Sequence, residues 1–576
     1  MQATLKTIWR LAKIAASGPG SGVTLFLLAI IIALELASIW ISLEFIAWNA
    51  RFFDALEDYE VSEALHQTAF YFGLTGISAL RFLVSDYLRK YVLIRWRTRL
   101  TIHTTRKWLE NRSYFYLRKG MAPTGLENPD QRISEDCRLF VSGLLNESLD
   151  LFTRIVGIFS YVAVLWGLTN FALNFTLFGI DFSLPHYLVW LAFIYVLVSS
   201  ILTHLLGWPL KNLLFEQEHR EAEFRYALVQ LRDNASEIAS AGGEQAEKER
   251  LGGRFGNIIH NWQALIRREF LVGMFTRPYF QTVLRIPLFL SLPAYLTKEV
   301  TLGGLMQLAS AFSNVTTTLS WFIFSYRDLA DFVATSERLD GLLQMVEHRQ
   351  LMPGVPVSIE HSQASEKIEV SNFTLFSPAA IPLATIPDIC IEPGEKIWIH
   401  APSGSGKTTL LRAIAGIWPY GDGRISRPGE KLLFASHTPY LTPDGIKAAL
   451  SYPENSLCFQ PCEYKTTLEM VGLAKRVGFL EADGPHALEG LSNGEKQRLV
   501  FARILLLKPA IILLDEATSA LNREAEEAMF GLVRKHLPAS TIICVSHHRP
   551  SGMNIDREMD LSVFIASQSR NKAGQL

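Results

Sequence analysis

The first 330 residues alternate long apolar stretches with polar connections, and the remainder of the chain does not. A helix needs about 20 mostly apolar residues to cross the hydrocarbon core of a bilayer. Six stretches have this length and composition: residues 23–43, 64–84, 155–174, 187–206, 280–296 and 303–326. The pattern predicts a polytopic α-helical membrane domain at residues 1–330, embedded in the lipid bilayer by six spans. Because six is even, we expect both ends of this domain on one side of the bilayer.

The charges exclude one class of partner and orient the spans. The chain has 55 Lys and Arg against 56 Asp and Glu, a net charge of −1, so we expect no nucleic-acid partner. Lys and Arg gather before the first span and between the second and third, whereas the connection after the first span is acidic. Since short cationic segments stay in the cytoplasm, the N-terminus and everything after the sixth span are predicted to be cytoplasmic.

The two inner connections are long, and their apolar residues recur at helical spacing, as at Phe224, Leu228 and Leu231. This spacing favours helices that continue beyond the bilayer, and an independent soluble cap is the alternative. Residues 1–22 contain Lys and Arg but no acidic residue. This composition favours a helix lying at the membrane surface over a targeting peptide.

Three ionisable residues, Glu35, Arg81 and Arg285, lie within predicted spans. A charged side chain is costly in hydrocarbon and therefore faces a partner or a cavity. These residues are candidates for a substrate path or a proton relay. A structural ion pair between helices explains them equally well.

The composition changes after residue 330. Residues 331–365 are predicted to form a helical linker, and from 366 to 576 strand-like runs alternate with helical ones. Such alternation is typical of an α/β domain with a partly parallel sheet. One strand-like run, Lys396–His400, leads into the glycine-rich segment 401–409 and then into a helical pattern.

This strand, glycine loop and helix predict a P-loop that binds nucleotide phosphates. Gly404 and Gly406 let successive N–H groups converge on phosphate oxygens, and the helix adds its positive end. Lys407 brings a charge to the β and γ phosphates, and Thr408 offers a hydroxyl to Mg²⁺. The first glycine of the usual pattern is Ala401, whose Cβ would weaken the turn if that position needs positive φ. The predicted nucleotide-binding residues here are Ser403, Gly404, Ser405, Gly406, Lys407, Thr408 and Thr409.

Two adjacent acids, Asp515 and Glu516, end the apolar run 511–514. Asp515 can hold Mg²⁺ through water, and Glu516 can polarise an attacking water, since phosphoryl transfer is mostly positioning and charge stabilisation. A solvated Asp-Glu pair closing a strand would be the default if the pair stood alone. Motifs on both sides make the hydrolytic interpretation the favoured one.

Those motifs are Leu-Ser-Asn-Gly-Glu-Lys-Gln-Arg at 491–498 and Ala-Thr-Ser-Ala-Leu-Asn at 517–522. With the P-loop, they resemble the ATP-binding-cassette (ABC) transporter family, which implies ATP and Mg²⁺ as cofactors and Glu516 as a catalytic residue. The resemblance also implies that the signature residues Ser492, Gly494 and Glu495 face the γ phosphate held by the other subunit. It makes His547 the switch histidine at that phosphate, and His548 beside it leaves an ambiguity of one residue.

The chain departs from the family pattern at several positions. His437 stands where the family has a Gln that senses Mg²⁺ and the membrane domain, and a protonated His repels Mg²⁺, so coupling would be altered or pH-sensitive. Asn493 replaces a common Gly and Asn522 the usual acid, and hydrolysis is still expected. Phe376 is the candidate for the aromatic residue that stacks on adenine, with a core strand position as the alternative.

The membrane half resembles the peroxisomal fatty-acyl transporter subfamily, its bacterial YddA-type relatives and the SbmA/BacA peptide-uptake proteins, which lack a nucleotide domain. The resemblance implies an exporter-like (type IV) ABC membrane fold joined to an α/β P-loop ABC domain. It also implies that segments 128–136 and 237–244 contact the nucleotide domain. The matching segments are 48–56, 95–97, 128–136, 221–225 and 236–244.

One chain has one glycine loop and one signature, whereas each ATP site of the family takes one from each subunit, so the resemblance implies a homodimer. The predicted function is ATP-driven transport of an amphipathic peptide, cobalamin-like or fatty-acyl compound across a bacterial inner membrane, with a cytoplasmic ATPase domain. The alternative is a proton-gradient-driven, SbmA-like peptide carrier whose ATPase domain is regulatory or weakly active. A channel gated by ATP is the third class.

Overall fold

The structure is a computed structural model that describes residues 2–117, 128–169, 172–177, 180–283, 285–296, 298–348, 357–362, 364–402, 404–482 and 484–561. The chain forms two compact units. The first unit comprises Met1–Asn111 and Asn128–Glu347, and the second comprises Arg112–Glu127 and His348–Leu576. The second unit therefore begins before residue 366, the predicted start of the α/β domain, and includes a short segment from an inner connection.

Helices form most of the chain up to residue 348. In chain order the elements are α1 (Gln2–Ala16), α2 (Ser21–Glu57), α3 (Val61–Leu109), α4 (Ser113–Tyr116), α5 (Pro129–Gln131), α6 (Cys137–Leu168), β1 (Ala172–Leu177), β2 (Ile180–Pro185), α7 (Tyr187–Asp233), α8 (Ala235–Ala241), α9 (Glu244–Val283), α10 (Ile286–Leu296), α11 (Leu302–Phe324) and α12 (Tyr326–His348). A π-helical turn, Arg132–Asp136, joins α5 to α6, and β1 pairs with β2 in an antiparallel hairpin. All of these elements except α4 belong to the first unit.

Four described helical segments are long and apolar enough to cross a membrane: Ser21–Glu57, Val61–Tyr116, Pro129–Leu168 and Tyr187–Asp233. They contain the first four predicted spans, although α6 ends at Leu168 rather than at residue 174. At 47 residues, α7 is about 70 Å long, more than twice the thickness of the hydrocarbon core. This length is compatible with the prediction of helices that continue beyond the bilayer, which stays a prediction.

The fifth predicted span, 280–296, is not one helix. It is divided between α9, which ends at Val283, and α10, which begins at Ile286. Pro287 explains the break, because proline has no N–H and its ring clashes with the carbonyl four residues earlier. The sixth predicted span corresponds to α11, a 23-residue helix that contains several Gly, Ser and Thr residues and is not one of the four long segments.

The core of the first unit forms where α11 packs against α2, α6 and α7. Leu308, Phe312 and Val315 of α11 are fully buried there with Ile46 and Leu165. Burying such side chains is worth about 1.5–3 kcal/mol each where the alternative is water. Inside a bilayer the alternative is lipid, so close packing of the side chains contributes most of the association.

Glu35 of α2 forms a charged cluster with α3. Its carboxylate accepts hydrogen bonds from Ser85 at 2.8 Å and Arg89 at 3.1 Å, and Arg81 lies 3.5 Å away. Arg89 also lies 3.8 Å from Asp150 of α6. These contacts favour the structural ion pair for Glu35 and Arg81, whereas Arg285 is exposed and forms no such pair among the described residues.

Two ion pairs anchor α12 within the first unit. Arg10 of α1 pairs with the buried Asp340, which also accepts a hydrogen bond from Thr7 at 3.2 Å. Arg338, two residues earlier on α12, donates two hydrogen bonds to the buried Asp136, at 3.0 and 2.9 Å. Asp136 belongs to segment 128–136, so this segment holds α12 through a bidentate pair.

The second unit contains two sheets. Its remaining elements are β3 (Val357–Ser362), β4 (Ala364–Phe376), β5 (Pro382–Ile386), β6 (Ile389–Ile391), β7 (Lys396–His400), α13 (Lys407–Ile414), β8 (Gly421–Pro428), β9 (Leu432–Ser436), α14 (Ile446–Ser451), α15 (Pro461–Met470), α16 (Asn493–Leu507), β10 (Ile511–Asp515), α17 (Arg523–His536), β11 (Thr541–Val545) and β12 (Arg557–Asp560). One sheet is parallel, in the order β12-β7-β11-β10-β9. The other is mixed, in the order β3-β8-β4-β5, with β6 paired to β4. β3 lies inside the segment predicted to be a helical linker.

The parallel sheet is buried on both faces, as such sheets are when helices cover them. All five residues of β10 and all five of β11 are buried. Because the strands are parallel, their carboxyl ends meet at one edge, where α/β proteins bind ligands. The glycine loop after β7, the acids at the end of β10 and the histidines after β11 all follow this edge.

The short segment that follows α3, beginning at Arg112, belongs to the second unit and packs within it. Arg112 donates a hydrogen bond to the carbonyl of Gly416 at 2.9 Å, and the Tyr116 hydroxyl donates to the same carbonyl at 3.3 Å. Phe115 packs against the core between the two sheets and α13. Gly416 follows α13, so within the second unit this segment contacts the turn after the helix that begins at the glycine loop.

Candidate nucleotide-binding and hydrolysis site

The glycine loop has the backbone that phosphate binding needs. Gly404 has φ +81° and Gly406 has φ +88°, values at which a side chain would be strained. A Cβ on Gly406 would also lie 3.4 Å from Leu375, where the hairpin of β4 and β5 approaches the loop. Gly406 precedes α13, so the first N–H groups of this helix are directed towards the loop.

Ala401 fits the loop without strain. It is not among the residues with positive φ, so its Cβ meets no backbone penalty. The Lys407 ammonium group donates hydrogen bonds to the carbonyls of Ala401 and Pro402, and Lys407 is buried. Lys407 is therefore held against the loop by two of the loop's own carbonyl groups. The alanine at position 401 does not disturb the turn.

The hydroxyls of the loop differ in their partners. The Ser405 hydroxyl is buried and has no hydrogen-bond partner among the described residues, as expected of a group that awaits a ligand. Thr409 is half-buried in the first turn of α13, and Ser403 lies outside the described residues. A buried hydroxyl without a partner beside glycine N–H groups fits a bound phosphate.

Thr408 and Asp515 lie together at the carboxyl ends of β7 and β10. The Thr408 hydroxyl donates a hydrogen bond to the Asp515 carboxylate at 2.8 Å. Burial raises the pKa of Asp515 above its usual value, because the charged form loses its hydration. Hydroxyl and carboxylate oxygens are ligands that Mg²⁺ prefers, so this pair fits the predicted metal role.

Glu516 is held in an uncommon conformation beside His547. Its φ is +53°, in the left-handed region that few non-glycine residues adopt, and its N–H donates to the Val545 carbonyl at 2.9 Å. Glu516 Oε1 lies 3.0 Å from His547 Nε2. His548 points to a different acid, with Nε2 3.6 Å from Glu526 Oε2. Of the two histidines, His547 is therefore the one beside Glu516.

His437 contacts the loop that follows Glu516. Its Nδ1 lies 2.9 Å from the Ser519 hydroxyl, which also accepts a hydrogen bond from Gln497 at 3.1 Å. Gln497 lies on α16 and also accepts from the N–H of Ala520 at 2.9 Å. His437 is thus connected through Ser519 to the helix that follows the signature.

The signature begins α16. The Ser492 hydroxyl caps this helix by accepting from the N–H of Glu495, and Glu495 accepts from the N–H of Ser492 at 2.9 Å. This backbone hydrogen bond is the main reason that the pKa of Glu495 is lowered. A Cβ on Gly494 would lie 3.1 Å from the Ala520 carbonyl, so glycine lets α16 approach the loop after Glu516. Within its own chain, Glu495 is therefore engaged by the helix cap.

Phe376 ends β4, next to Leu375 at the glycine loop. The ring is half-buried and packs against the core, while the Trp418 indole donates to the Phe376 carbonyl at 3.0 Å. The position is close enough to the loop for the adenine role and is also a core position. Both interpretations of Phe376 stay open.

Sequence reasoning missed three residues of this site. Gln497 and Ser519 stand inside the two quoted motifs but were given no role, and Glu526 lies outside them. The signal for Gln497 was its place inside the signature, one helical turn before the apolar Phe501 on the same face of α16. The structure provides the only sign that Glu526 belongs here.

Two comparisons with known proteins bear on this geometry. A sequence model of the ABC transporter transmembrane region 2 matches residues 11–296, and a model of the ABC transporter matches residues 386–519. The inner membrane ABC transporter ATP-binding protein YddA of Escherichia coli K12 is 30% identical over 94% of this chain and 95% of its own. The chain belongs to the ABC transporter family. Its first unit contains the membrane region and its second unit the ABC ATPase domain.

More distant ABC transporters of eukaryotes are also similar. ABC transporter D family member 2, chloroplastic, of Arabidopsis thaliana is 27% identical over 91% of this chain and 81% of its own. ATP-binding cassette sub-family D member 3 of Mus musculus is 26% identical over 83% of this chain and 76% of its own. These matches confirm the resemblance to YddA and to the D subfamily. An ABC ATPase domain binds ATP, and its hydrolysis is coupled to transport.

Proposed function

We propose that this ABC transporter is a homodimer that uses ATP hydrolysis at Glu516 to move an amphipathic substrate across a bacterial inner membrane. The observation that supports this proposal best is the polar cluster at the edge of the parallel sheet. There Glu516 lies 3.0 Å from His547, and Asp515 accepts a hydrogen bond from Thr408. Both pairs are next to a glycine loop whose buried Ser405 hydroxyl has no partner among the described residues.

Each side chain has a task in hydrolysis. Lys407 leaves the carbonyls of its loop to bind phosphate oxygens, where it neutralises charge. Thr408 and Asp515 would hold Mg²⁺, which would supply positive charge to the β and γ phosphates. Glu516 accepts a proton from the attacking water, and His547 holds the Glu516 carboxylate in position and binds the γ phosphate. Positioning and charge stabilisation of this kind account for most phosphoryl-transfer catalysis.

The homodimer completes each ATP site. The chain has one glycine loop and one signature, and in this family each site takes the two from different subunits. Ser492 caps α16, so the first turn of this helix presents N–H groups that favour an anion. In the dimer we place Ser492 and Gly494 at the γ phosphate held by the other subunit, with Glu495 keeping the cap intact.

In this proposal, movement reaches the membrane region through the turn that connects α3 to α4. α3 leads through a short turn into α4, whose segment holds the Gly416 carbonyl just after α13. A shift of α13 on nucleotide binding is thereby passed to α3. In this proposal α9, α10 and α11 complete the six spans, and the ATPase domain is cytoplasmic.

The cargo is proposed by class. The apolar cavity between α7, α9 and α10 measures about 700 Å³ and is lined mainly by aliphatic and aromatic side chains. This lining favours a substrate with an apolar part, such as an amphipathic peptide, a cobalamin-like compound or a fatty-acyl compound. One reason for the gradient-driven alternative was that Ala401 could weaken the glycine loop. This reason no longer applies, because Ala401 does not adopt positive φ.

The test is ATP hydrolysis by the purified protein in lipid nanodiscs. We expect basal hydrolysis by the wild type, and in Glu516→Gln a fall in kcat of about 10²–10⁴-fold with ATP binding retained. Glu524→Gln, at an exposed acid in the first turn of α17, is the matched control and should hydrolyse ATP at the wild-type rate.

The same preparation nominates the cargo. Peptides, cobalamin and long-chain acyl-CoA are added separately, and the compound that raises wild-type kcat is the preferred cargo class. Absence of hydrolysis in every condition, with proton-dependent uptake in vesicles that persists without ATP, would overturn the proposal in favour of the gradient-driven carrier.

A further inference from the structure

One buried acid of the second unit is not explained by the motifs. Glu526 lies on α17 with its side chain only 3% exposed. A buried carboxylate is costly unless donors surround it, and Glu526 accepts two hydrogen bonds and has a histidine nearby. The Thr518 hydroxyl donates at 2.7 Å, the N–H of Ser551 donates at 3.0 Å, and His548 Nε2 lies 3.6 Å away.

The three partners come from two separate segments. Thr518 belongs to the loop after β10, two residues beyond Glu516. His548 and Ser551 belong to the turn after β11, which also contains His547. The Glu526 carboxylate therefore contacts both the loop that contains Glu516 and the turn that contains His547.

Glu516 needs such support. Its backbone has φ +53°, a conformation that costs free energy for any residue with a Cβ and persists only when the surroundings impose it. One restraint is the hydrogen bond from its own N–H to the Val545 carbonyl at 2.9 Å. The bond from Thr518 to Glu526 fixes the chain on the other side of this strained residue.

The two adjacent histidines contact different acids. His547 reaches Glu516 and His548 reaches Glu526, so consecutive residues of one turn contact two different acids. His548 and Ser551 follow His547 in the same turn, so their contacts with Glu526 restrain the segment from which His547 extends.

We propose that Glu526 is a positioning residue for ATP hydrolysis, which holds Glu516 and His547 at their working separation through Thr518 on one side and His548 with Ser551 on the other. This inference rests on the proposed function and identifies a residue outside the two motifs at 491–498 and 517–522. Glu526 touches neither ATP nor the attacking water, so its effect is on the rate of the chemical step and not on nucleotide binding.

The test separates this role from a purely structural one. Glu526→Gln keeps the shape of the side chain, but one amide oxygen cannot accept from both Thr518 and Ser551. Displacements of about 1 Å in a catalytic group cost on the order of 10²-fold in rate. We therefore expect kcat for ATP to fall by about 10- to 100-fold, with KM and the Kd for MgATP within about twofold of the wild type.

Glu527→Gln is the matched control, because Glu527 is the next residue on α17 and is exposed. It should leave kcat unchanged. Thr518→Val replaces a hydroxyl by a methyl group of similar volume and removes only the attachment of the Glu516 segment. We expect it to lower kcat in the same way, and the double variant with Glu526→Gln should be no slower than the slower single variant.

Two results would overturn the inference. One is a folded Glu526→Gln or Thr518→Val protein with wild-type kcat in a preparation where Glu516→Gln is inactive. The other is a parallel loss of Tm, ATP affinity and kcat, which would make Glu526 a structural residue only. If Glu526→Gln fails to fold, Thr518→Val alone decides the question. A wild type without ATPase activity would instead overturn the proposed function, and this inference with it.

Discussion

The interior acids of the two units differ in whether an arginine is among their partners. In the first unit, the buried Asp136 accepts two hydrogen bonds from Arg338, and the half-buried Glu35 contacts Arg81 and Arg89 as well as the Ser85 hydroxyl. In the second unit, Asp515 accepts from a threonine hydroxyl, and Glu526 contacts a hydroxyl, a backbone N–H and a histidine. Arginine is charged at every accessible pH, so these acids of the first unit lie beside a permanent positive charge.

This difference separates structural acids from acids that retain their attraction for a ligand. The negative charge of an acid that is paired with arginine is already neutralised by a side chain from another helix. Asp515 is buried at the edge of the sheet without an arginine ion pair, and burial disfavours its charged form, which raises its pKa. In the proposed site this charge would be balanced by a metal cation. The buried carboxylate of Asp515 therefore lowers the stability of the second unit at the proposed nucleotide site. Functional sites often carry such a cost in stability.

The largest effect expected from this comparison is at Asp515. Asp515→Asn keeps an oxygen to accept from Thr408 but removes the charge. We expect kcat for ATP to fall by about 10²–10³-fold, while the nucleotide-free protein has the same or a higher Tm. Steady-state hydrolysis and differential scanning calorimetry check the two parts, and a large fall in Tm would contradict the comparison.

The difference in Tm between Asp515→Asn and the wild type should depend on pH. Because the pKa of Asp515 is raised by burial, the folded protein binds this proton more tightly than the unfolded chain. The penalty for the charged form is therefore present at neutral pH and disappears as pH falls through the raised pKa. We expect the Tm advantage of Asp515→Asn over the wild type to be greatest near pH 7 and to vanish at lower pH.

A smaller effect is expected at the Arg338 pair, and here it is on stability. Arg338→Ala leaves the buried Asp136 carboxylate without its bidentate partner, which should destabilise the first unit by about 1–3 kcal/mol. Adding Asp136→Asn should restore part of this loss, because the buried charge is then removed as well. A double variant less stable than Arg338→Ala would contradict the ion-pair account.

Cysteine labelling locates this effect in one unit. Cys137 and Cys544 are buried free thiols, one in each unit. Burial raises the pKa of Cys544 to about 12, so thiolate is scarce at pH 8 and labelling by maleimide requires opening. We expect Arg338→Ala to speed the labelling of Cys137, next to Asp136, and to leave Cys544 protected. Equal acceleration at both cysteines would show that the pair does not act locally.

The site was predictable from sequence where short motifs fix the backbone. Gly404 and Gly406 adopt the positive φ that the P-loop pattern requires, and Thr408 meets Asp515 although 107 positions separate them. The spacing Ser492-x-x-Glu495 is also a capping-box signal. The structure forms that cap, and a closer interpretation of the spacing would have given Glu495 this role from sequence.

Other contacts depend on tertiary packing and have no local signal. Asp136 meets Arg338 across 202 positions, and Glu526 gathers partners from two loops that only the fold brings together. The fifth span was predicted from hydropathy alone, whereas Pro287 divides it between α9 and α10. Hydropathy sums over a window, so it is insensitive to one missing N–H.

The most direct test of the central claim mixes two inactive variants. Lys407→Ala disables the glycine loop, and Ser492→Asp keeps a good helix cap while placing a negative charge at the phosphate. In a mixed homodimer one composite site combines both defects, and the other is intact. We predict that each variant alone is inactive and that co-reconstituted protein recovers up to about a quarter of wild-type ATPase activity, since random pairing makes half the dimers mixed. A mixture as inactive as its components would contradict the account.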